Sequence, residues 1–216
     1  MCTTGPGSGR AGQPAAEVSD ALDHHILKQA RRLFTEQGYA GTSIEQLATV
    51  AGVGKQSIYR RYASKEELFK AVLTELGAEV VALTEQAEAS SADPVLALRE
   101  TLWALSSTAR TPETIALYRS LIAEAKRFPE FAEQSTNRAS TKLDCIILRL
   151  LRRARENGAI DPSYDETQLH RAVWGLFGGW DLQQKLVGAP GLASDADRGA
   201  FFETAWRMFL EGAARR

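Results

Sequence analysis

The stretch from Thr42 to Phe69, TSIEQLATVAGVGKQSIYRRYASKEELF, decides the fold of this chain. Small residues divide it into three short helical patterns. The first pattern, from Ser43 to Ala51, has an apolar stripe at helical spacing, and the hydroxyl residues at its start form capping boxes with Glu45 and Gln46. A glycine follows it, and a glycine one residue past a helix is the usual left-handed stop. The stretch therefore predicts two short helices joined by a tight turn, with a third helix after them.

The second helical pattern, from Lys55 to Tyr62, carries a polar outer face. Two helices joined by a glycine-containing turn form a helix-turn-helix unit, whose second helix lies in the major groove of DNA. A solvated face of a small helical bundle is the alternative, but such a face usually mixes charges of both signs. Between His24 and Lys65 there are seven Lys or Arg and two Glu, a net charge of +5 in a chain of net charge −1. This excess favours binding to the phosphates of nucleic acid.

The run from Ala30 to Val72 resembles the DNA-binding domain of the TetR family of bacterial transcriptional regulators. The matching pieces are Leu33-Phe34, Gly38-Tyr39, Gly41-Thr42-Ser43, Ile44, Leu47-Ala48, Ala51-Gly52-Val53, Ile58-Tyr59, Tyr62 and Ser64-Lys65-Glu66-Glu67-Leu68. Arg60-Arg61-Tyr62 differs from the family, which often has an aromatic residue, a histidine and a phenylalanine there. The resemblance implies a repressor that binds a palindromic operator in double-stranded DNA and is released by a small-molecule effector.

Nine residues of this stretch are predicted to contact DNA. Those expected to reach base edges are Gln56, Ser57, Lys55 and Arg60. Those expected to bind phosphates are Thr42, Tyr59, Arg61 and Lys65, the last aided by the amino end of its own helix. Ser43 is included in the predicted DNA-binding set.

The whole chain of 216 residues is predicted to be all-α, with about nine helices. Residues 1–19, rich in Gly, Pro, Ser and Ala, are predicted to be a disordered tail. Residues 20–66 are expected to form the DNA-binding domain, with a first helix from Asp20 to Gln37 that stops at Gly38. Residues 67–216 are expected to form a helical effector-binding and dimerisation domain. Within it, the segment from Glu124 to Ala132 resembles the AefR-like group of TetR-like repressors, which supports a helix boundary near Pro129.

The eighth predicted helix, from Glu166 to Val187, contains Gly175 and Gly179 four residues apart. Glycine costs about 1 kcal/mol relative to alanine inside a helix. Close approach of two backbones is one explanation, and a local kink or pocket wall is the other. The ninth helix, from Ala200 to Gly212, carries a broad apolar band. Resemblance to the family implies a homodimer through the last two helices, and the predicted interface residues are Gly175, Gly179, Phe202, Trp206 and Phe209.

Aromatic residues of the second domain suggest a ligand site, with ordinary core packing as the alternative. The residues predicted to line the site are Trp103, Tyr118, Trp174, Phe177 and Trp180. The family resemblance implies that this domain binds a small, often hydrophobic molecule.

No motif predicts catalysis, a metal or a cofactor. Gly7-x-Gly9-x-x-Gly12 matches a dinucleotide fingerprint, but no strand pattern precedes it. Glu166 and His170 are four residues apart, but the other ligands of a di-metal bundle are missing. A helical enzyme, or a small-molecule-binding protein with a vestigial DNA-binding unit, is the alternative. Two distant cysteines, no signal peptide and no transmembrane run predict a cytoplasmic protein.

Overall fold

The computed structural model describes residues 13–108, 110–126 and 129–214. Over these residues the chain is all-α, as predicted, and contains no strand. In chain order the helices are α1 (Gln13–Gly41), α2 (Ile44–Ala51), α3 (Lys55–Tyr59), α4 (Lys65–Ala89), α5 (Pro94–Thr108), α6 (Pro112–Glu124), α7 (Pro129–Glu156), α8 (Glu166–Trp174), α9 (Trp180–Leu186) and α10 (Asp195–Ala213). A π-helical turn (Gly175–Gly179) connects α8 directly to α9, so the predicted eighth helix is continuous. None of the described helices is both long and apolar enough to span a bilayer.

The helix α1 begins earlier than predicted, whereas its interruption lies at the predicted residue. The helix begins at Gln13, seven residues before the predicted Asp20, and therefore includes residues 13–19 of the predicted tail. Pro14 suits a first turn because its missing N–H has no partner there, and the two alanines after it favour helix. At the other end Gly38 has a φ of 71° and interrupts the helix at the predicted stop. The rest of the predicted tail, residues 1–12, lies outside the described residues, as do residues 127 and 128 of the AefR-like segment.

The predicted helix-turn-helix is formed by α2 and α3. Ser43 Oγ accepts the N–H of Gln46 at 3.1 Å, and the Gln46 side chain accepts the N–H of Ser43 at 2.9 Å, which completes a capping box. Gly52, with a φ of 66°, ends α2 in the left-handed conformation. The helix α3 ends at Tyr59 and not at the predicted Tyr62. The chain must become extended by Ser64 (φ −152°), whose side chain caps α4.

Buried side chains form two hydrophobic cores. The first core is formed by α1, α2, α3 and α4, together with Leu117 and Leu121 of α6. The second core joins α5, α7, α8, the π-helical turn and α10, with Val81 of α4. The helix α4 contributes to both cores, as expected for a long helix that couples two layers. The division of the chain at residues 66 and 67 stays a prediction.

Candidate nucleic-acid interface and ligand cavity

One buried side chain anchors α3, and most of the helix is exposed. Ile58 lies in the first core with no exposed surface, whereas Lys55, Gln56, Tyr59 and Arg60 are exposed. Within the described part of the chain, the side chains of Gln56, Tyr59 and Arg60 form no hydrogen bond or ion pair. Their polar groups are therefore available to an external partner.

Two further residues of α3 that were predicted to contact DNA are less free: Lys55 forms an ion pair, and Ser57 is half-buried. Lys55 Nζ forms an exposed ion pair with Glu45 of α2, and its hydrogen bond lowers the pKa of Glu45. Exposed pairs of this kind contribute about 0–1 kcal/mol, so a phosphate can compete for the ammonium group. Ser57 is half-buried, and its carbonyl oxygen accepts a hydrogen bond from Arg61 Nη1 at 3.2 Å.

Thr42 and Lys65, both predicted as phosphate contacts, form hydrogen bonds inside the protein. Thr42 is buried, and its Oγ1 donates to the carbonyl oxygen of Gly38 at 2.8 Å. Lys65 Nζ donates to the carbonyl oxygens of Tyr39 at 2.9 Å and Thr42 at 3.0 Å, and it lies over the Tyr39 ring. Backbone carbonyls at the end of a helix lack intrahelical partners, and this ammonium group satisfies them.

Arg61 and Ser43 are also engaged within the chain. The side chain of Arg61 is 14% exposed, forms an ion pair with Asp23 of α1 and donates to Ser19 Oγ at 3.4 Å. It therefore fastens α3 to α1, which corrects its prediction as a phosphate contact. Ser43 is half-buried and its Oγ caps α2.

Polar contacts that the sequence did not reveal join α1 to α4 and α6. Arg31 of α1 donates from Nε and Nη2 to the Glu113 carboxylate at 2.8 and 2.9 Å, and it also pairs with Glu79 of α4. The hydrogen bonds to Glu79 and Glu113 raise the pKa of Arg31. In addition, the N–H of Tyr39 donates to Ser120 Oγ of α6 at 3.3 Å. The Arg31 partners lie 48 and 82 residues along the chain, so no local pattern signals them.

A cavity of about 210 Å³ lies between α5, α8, the π-helical turn and α9. Its lining is apolar except for one hydroxyl and consists of Leu102, Leu105, Ser106, Val173, Trp174, Phe177, Gly178, Gly179 and Leu182. Two of the predicted ligand residues, Trp174 and Phe177, are thus brought together at one cavity. A larger groove of about 610 Å³ between α1, α4 and α6 is lined by charged side chains, including the paired Arg31, Glu79 and Glu113.

The other three predicted ligand residues do not line the cavity. Tyr118 is 41% exposed because the inward face of α6 is occupied by Leu117, one residue earlier. Trp180 is 51% exposed and stacks on Phe201 with 6.4 Å between ring centroids. Trp103 packs edge-to-face against Phe202 at 5.0 Å, within the second core.

Trp174 is held by a polar cluster on the side of its indole nitrogen. Asp144 Oδ1 of α7 lies 3.1 Å from Trp174 Nε1 and 2.9 Å from His170 Nε2, and the two nitrogens are 3.0 Å apart. The indole nitrogen can only donate, and both the Asp144 carboxylate and the His170 ring nitrogen lie within hydrogen-bond distance of it. His170 is therefore a partly buried partner of Asp144.

The predicted dimer residues divide into two groups. Phe202, Trp206 and Phe209, predicted at the interface, are only 2%, 7% and 6% exposed and pack in the second core, so they present little surface to a partner subunit. Rings of neighbouring helices cover the apolar band of α10. By contrast, Gly175 and Gly179 are exposed, and a Cβ atom on either would meet no atom within 4 Å.

Two family models match the chain. Residues 26–72 match the model described as bacterial regulatory proteins, tetR family. Residues 96–212, more than half of the chain, match the C-terminal domain of the AefR-like transcriptional repressors. The chain belongs to the TetR family. The first match covers the helix-turn-helix, and the second covers the cavity and the π-helical turn.

Curated relatives of this TetR-family chain are also regulators. It is similar to the HTH-type transcriptional repressor NicS of Pseudomonas putida, with 36% identity over 85 residues, 39% of this chain and 40% of the length of NicS. It is similar to the HTH-type transcriptional regulator YezE of Bacillus subtilis, with 30% identity over 140 residues, 63% of this chain and 71% of YezE. The match to NicS thus spans less than half of that relative. The relatives do not favour the alternative of a helical enzyme.

Solved structures show the same TetR-family fold. A TetR-family regulator from Mesorhizobium loti aligns with a TM-score of 0.78 at 21% identity, covering 91% of this chain and 98% of that one. The TetR-family regulator PfmR from Thermus thermophilus aligns with a TM-score of 0.63 at 27% identity, covering 84% and 97%. The fold of the family therefore extends across both cores.

Proposed function

We propose that this TetR-family chain is a sequence-specific DNA-binding repressor that acts in the cytoplasm. The observation that carries the proposal is the outer face of α3, where Gln56, Tyr59 and Arg60 are exposed without an intramolecular polar partner. A helix in this position of a helix-turn-helix enters the major groove. NicS is a transcriptional repressor and the matching C-terminal domain is that of AefR-like repressors, which supports repression over activation.

Five residues of α3 and its C-terminal end are proposed to contact DNA. Gln56 and Arg60 are proposed to read base edges, with Lys55 and Ser57 beside them, because a well-placed bidentate contact discriminates by about 1–3 kcal/mol. Tyr59 is proposed to bind a phosphate.

The test compares two adjacent arginines on DNA selected by the protein from a random pool. Arg60→Ala and Gln56→Ala are expected to weaken binding and to change the preferred base at individual positions. Arg61→Ala is the matched control because its guanidinium group faces Asp23, so this variant is expected to lower stability without changing sequence preference. Fluorescence anisotropy on a panel of singly substituted sites measures both effects. Unchanged preference in Gln56→Ala and Arg60→Ala would refute the assignment.

The proposed DNA-binding form is a symmetric homodimer on a palindromic operator. Two reading helices related by a two-fold axis need half-sites about 34–36 Å apart. The exposed glycines Gly175 and Gly179, the exposed ring of Trp180 and the exposed Met208 of α10 support an interface on the outer surface of α8 to α10. Sedimentation velocity is expected to show a dimer, with dissociation in Gly179→Arg. A wild-type monomer that still binds palindromic DNA would contradict the proposal.

Effector control is proposed to act through α4 and α6 together. Both helices contact the first core, and α6 does so through Leu117, Leu121 and the contacts of Glu113 with Arg31. An effector shifts the equilibrium between two arrangements only by its differential affinity for them, typically about 1–3 kcal/mol, or about 5–150-fold. Operator DNA is therefore expected to weaken effector binding by the same factor, which paired calorimetric titrations with and without DNA measure.

A further inference from the structure

We propose that the effector is a compact, uncharged and mostly apolar molecule of about eight to ten non-hydrogen atoms that donates one hydrogen bond to Ser106. The site is the cavity between α5, α8, the π-helical turn and α9. This inference rests on the effector control proposed above, and it specifies the chemistry of the molecule.

The size follows from the volume of the cavity. A dry apolar cavity of about 150 Å³ accommodates benzene, which has six non-hydrogen atoms. At the same packing, the volume of about 210 Å³ accommodates about eight such atoms. Small movements of the half-buried Leu182 at the edge of the cavity allow slightly more. The volume therefore matches a molecule with one ring or two fused rings.

The lining excludes a charged ligand. It contains no charged side chain, and a buried charge without a partner is costly. The polar atom of Trp174 is not available either, because its N–H is committed to Asp144 on α7. The indole therefore offers the cavity its apolar ring surface.

Ser106 supplies the one polar group of the lining. Its side chain is buried, and its hydroxyl donates to the carbonyl oxygen of Trp103 at 2.9 Å. The hydrogen of this hydroxyl is thus occupied, while the oxygen keeps lone pairs that can accept. A ligand with one O–H or N–H donor, such as a phenol or an indole, satisfies this oxygen, whereas a ligand that only accepts gains nothing from it.

The experiment uses the full-length protein and defined probes of matched size. The probes are p-cresol and indole, which carry one donor, p-xylene, which carries none, and benzoate, which is charged. Isothermal titration calorimetry and thermal shift are expected to show binding in the order p-cresol and indole, then p-xylene, with benzoate at least tenfold weaker than p-cresol. Equal binding of benzoate and p-cresol would overturn the proposal.

Variants locate the site and test the hydrogen bond. Ser106→Ala is expected to bind p-cresol about as weakly as p-xylene, while its affinity for p-xylene stays unchanged. Ser106→Leu fills the cavity from α5 and Leu182→Phe fills it from α9, and either is expected to weaken all probes at least tenfold. Tyr118→Leu, an exposed change outside the cavity, is the control and is expected to bind like the wild type. Retained affinity in both filled variants would overturn the proposed site.

A DNA-binding measurement separates this inference from the proposed function. Intact binding to the selected operator with no binding of any probe would overturn the ligand class and leave the DNA-binding function standing. Probe binding that follows the expected order but leaves operator affinity unchanged would support the site and its chemistry while refuting effector control.

Discussion

Arg110 and Asp181 form an ion pair inside the protein, with 2.8 Å between Arg110 Nε and Asp181 Oδ2 and side chains only 4% and 0% exposed. Arg110 Nη2 also donates to the carbonyl oxygen of Phe177 at 2.9 Å, in the π-helical turn beside the cavity. Burial lowers the pKa of Arg110, and the charge of Asp181 acts in the opposite direction. The Asp181 carboxylate further accepts the N–H of Leu192 at 2.6 Å. One buried pair thus connects the segment before α6, the cavity wall and the loop before α10.

Arg110→Met is expected to lower the free energy of unfolding by about 3–5 kcal/mol, because the substitution leaves Asp181 buried without a countercharge. Urea denaturation followed by circular dichroism measures the change. Arg149→Met is the control: Arg149 pairs with Glu88 at the surface, and a loss of less than about 1 kcal/mol is expected there. Similar losses of unfolding free energy in both variants would contradict the conclusion that burial makes the Arg110–Asp181 pair the more important one for stability.

Lys65→Met is expected to destabilise the fold without changing the salt dependence of DNA binding. The carbonyl oxygens of Tyr39 and Thr42 lose hydrogen bonds from a charged donor, which contribute about 1.5–3 kcal/mol each in proteins. Arg60→Ala, proposed to remove a base contact, is expected instead to weaken operator binding and change the preferred base without lowering the free energy of unfolding. In Lys65→Met the slope of log affinity against log salt is expected to stay that of the wild type. Anisotropy titrations across a salt series measure this slope. A flatter slope in Lys65→Met would show that Lys65 does contact a DNA phosphate.

Arg31→Met and Glu113→Gln are each expected to reduce the effect of a cavity ligand on operator affinity by about 0.5–2 kcal/mol. Both substitutions break the same contact between α1 and α6, so the double variant is expected to lose little more than either single one. The measurement is operator affinity with and without p-cresol in all four proteins. Lys142→Met, which breaks an exposed ion pair with Glu85, is the control. Fully additive losses would show that the contact does not transmit the effect.

Asp144→Leu is expected to weaken ligand binding in the cavity by about tenfold, because the Trp174 indole and the His170 ring both lose the carboxylate that holds them and Trp174 would reorient. Asp144→Asn keeps one acceptor oxygen for Trp174 or His170 and is expected to lose less. Calorimetry with indole measures affinity, and a change in tryptophan emission reports the new environment of the ring. Equal binding by the wild type and Asp144→Leu would contradict the positioning role of Asp144.

The helix-turn-helix was predictable because its signals are local. The Ser43 cap, the left-handed Gly52 and the stop at Gly38 depend on hydrogen bonds and backbone angles within a few residues. The exposed face of α3 followed equally directly, since burial of Ile58 at helical period determines which side chains point outward. The helical pattern of the second half was also readable, although Asp195 begins α10 five residues before the predicted Ala200 because Ser194 provides a capping box.

The sequence by itself determined the all-α class, the position of α3 and the exposure of Gln56 and Arg60, because helix periodicity and capping act over short distances along the chain. Only the tertiary structure decided how individual long side chains are used. Lys65 and Arg61 are basic residues in a basic segment, yet one binds backbone carbonyls and the other an aspartate on α1. The aromatic residues of α10 are likewise covered by helices far away in sequence. Such contacts depend on which distant segments meet in three dimensions, so a local pattern of charge or hydrophobicity does not predict them.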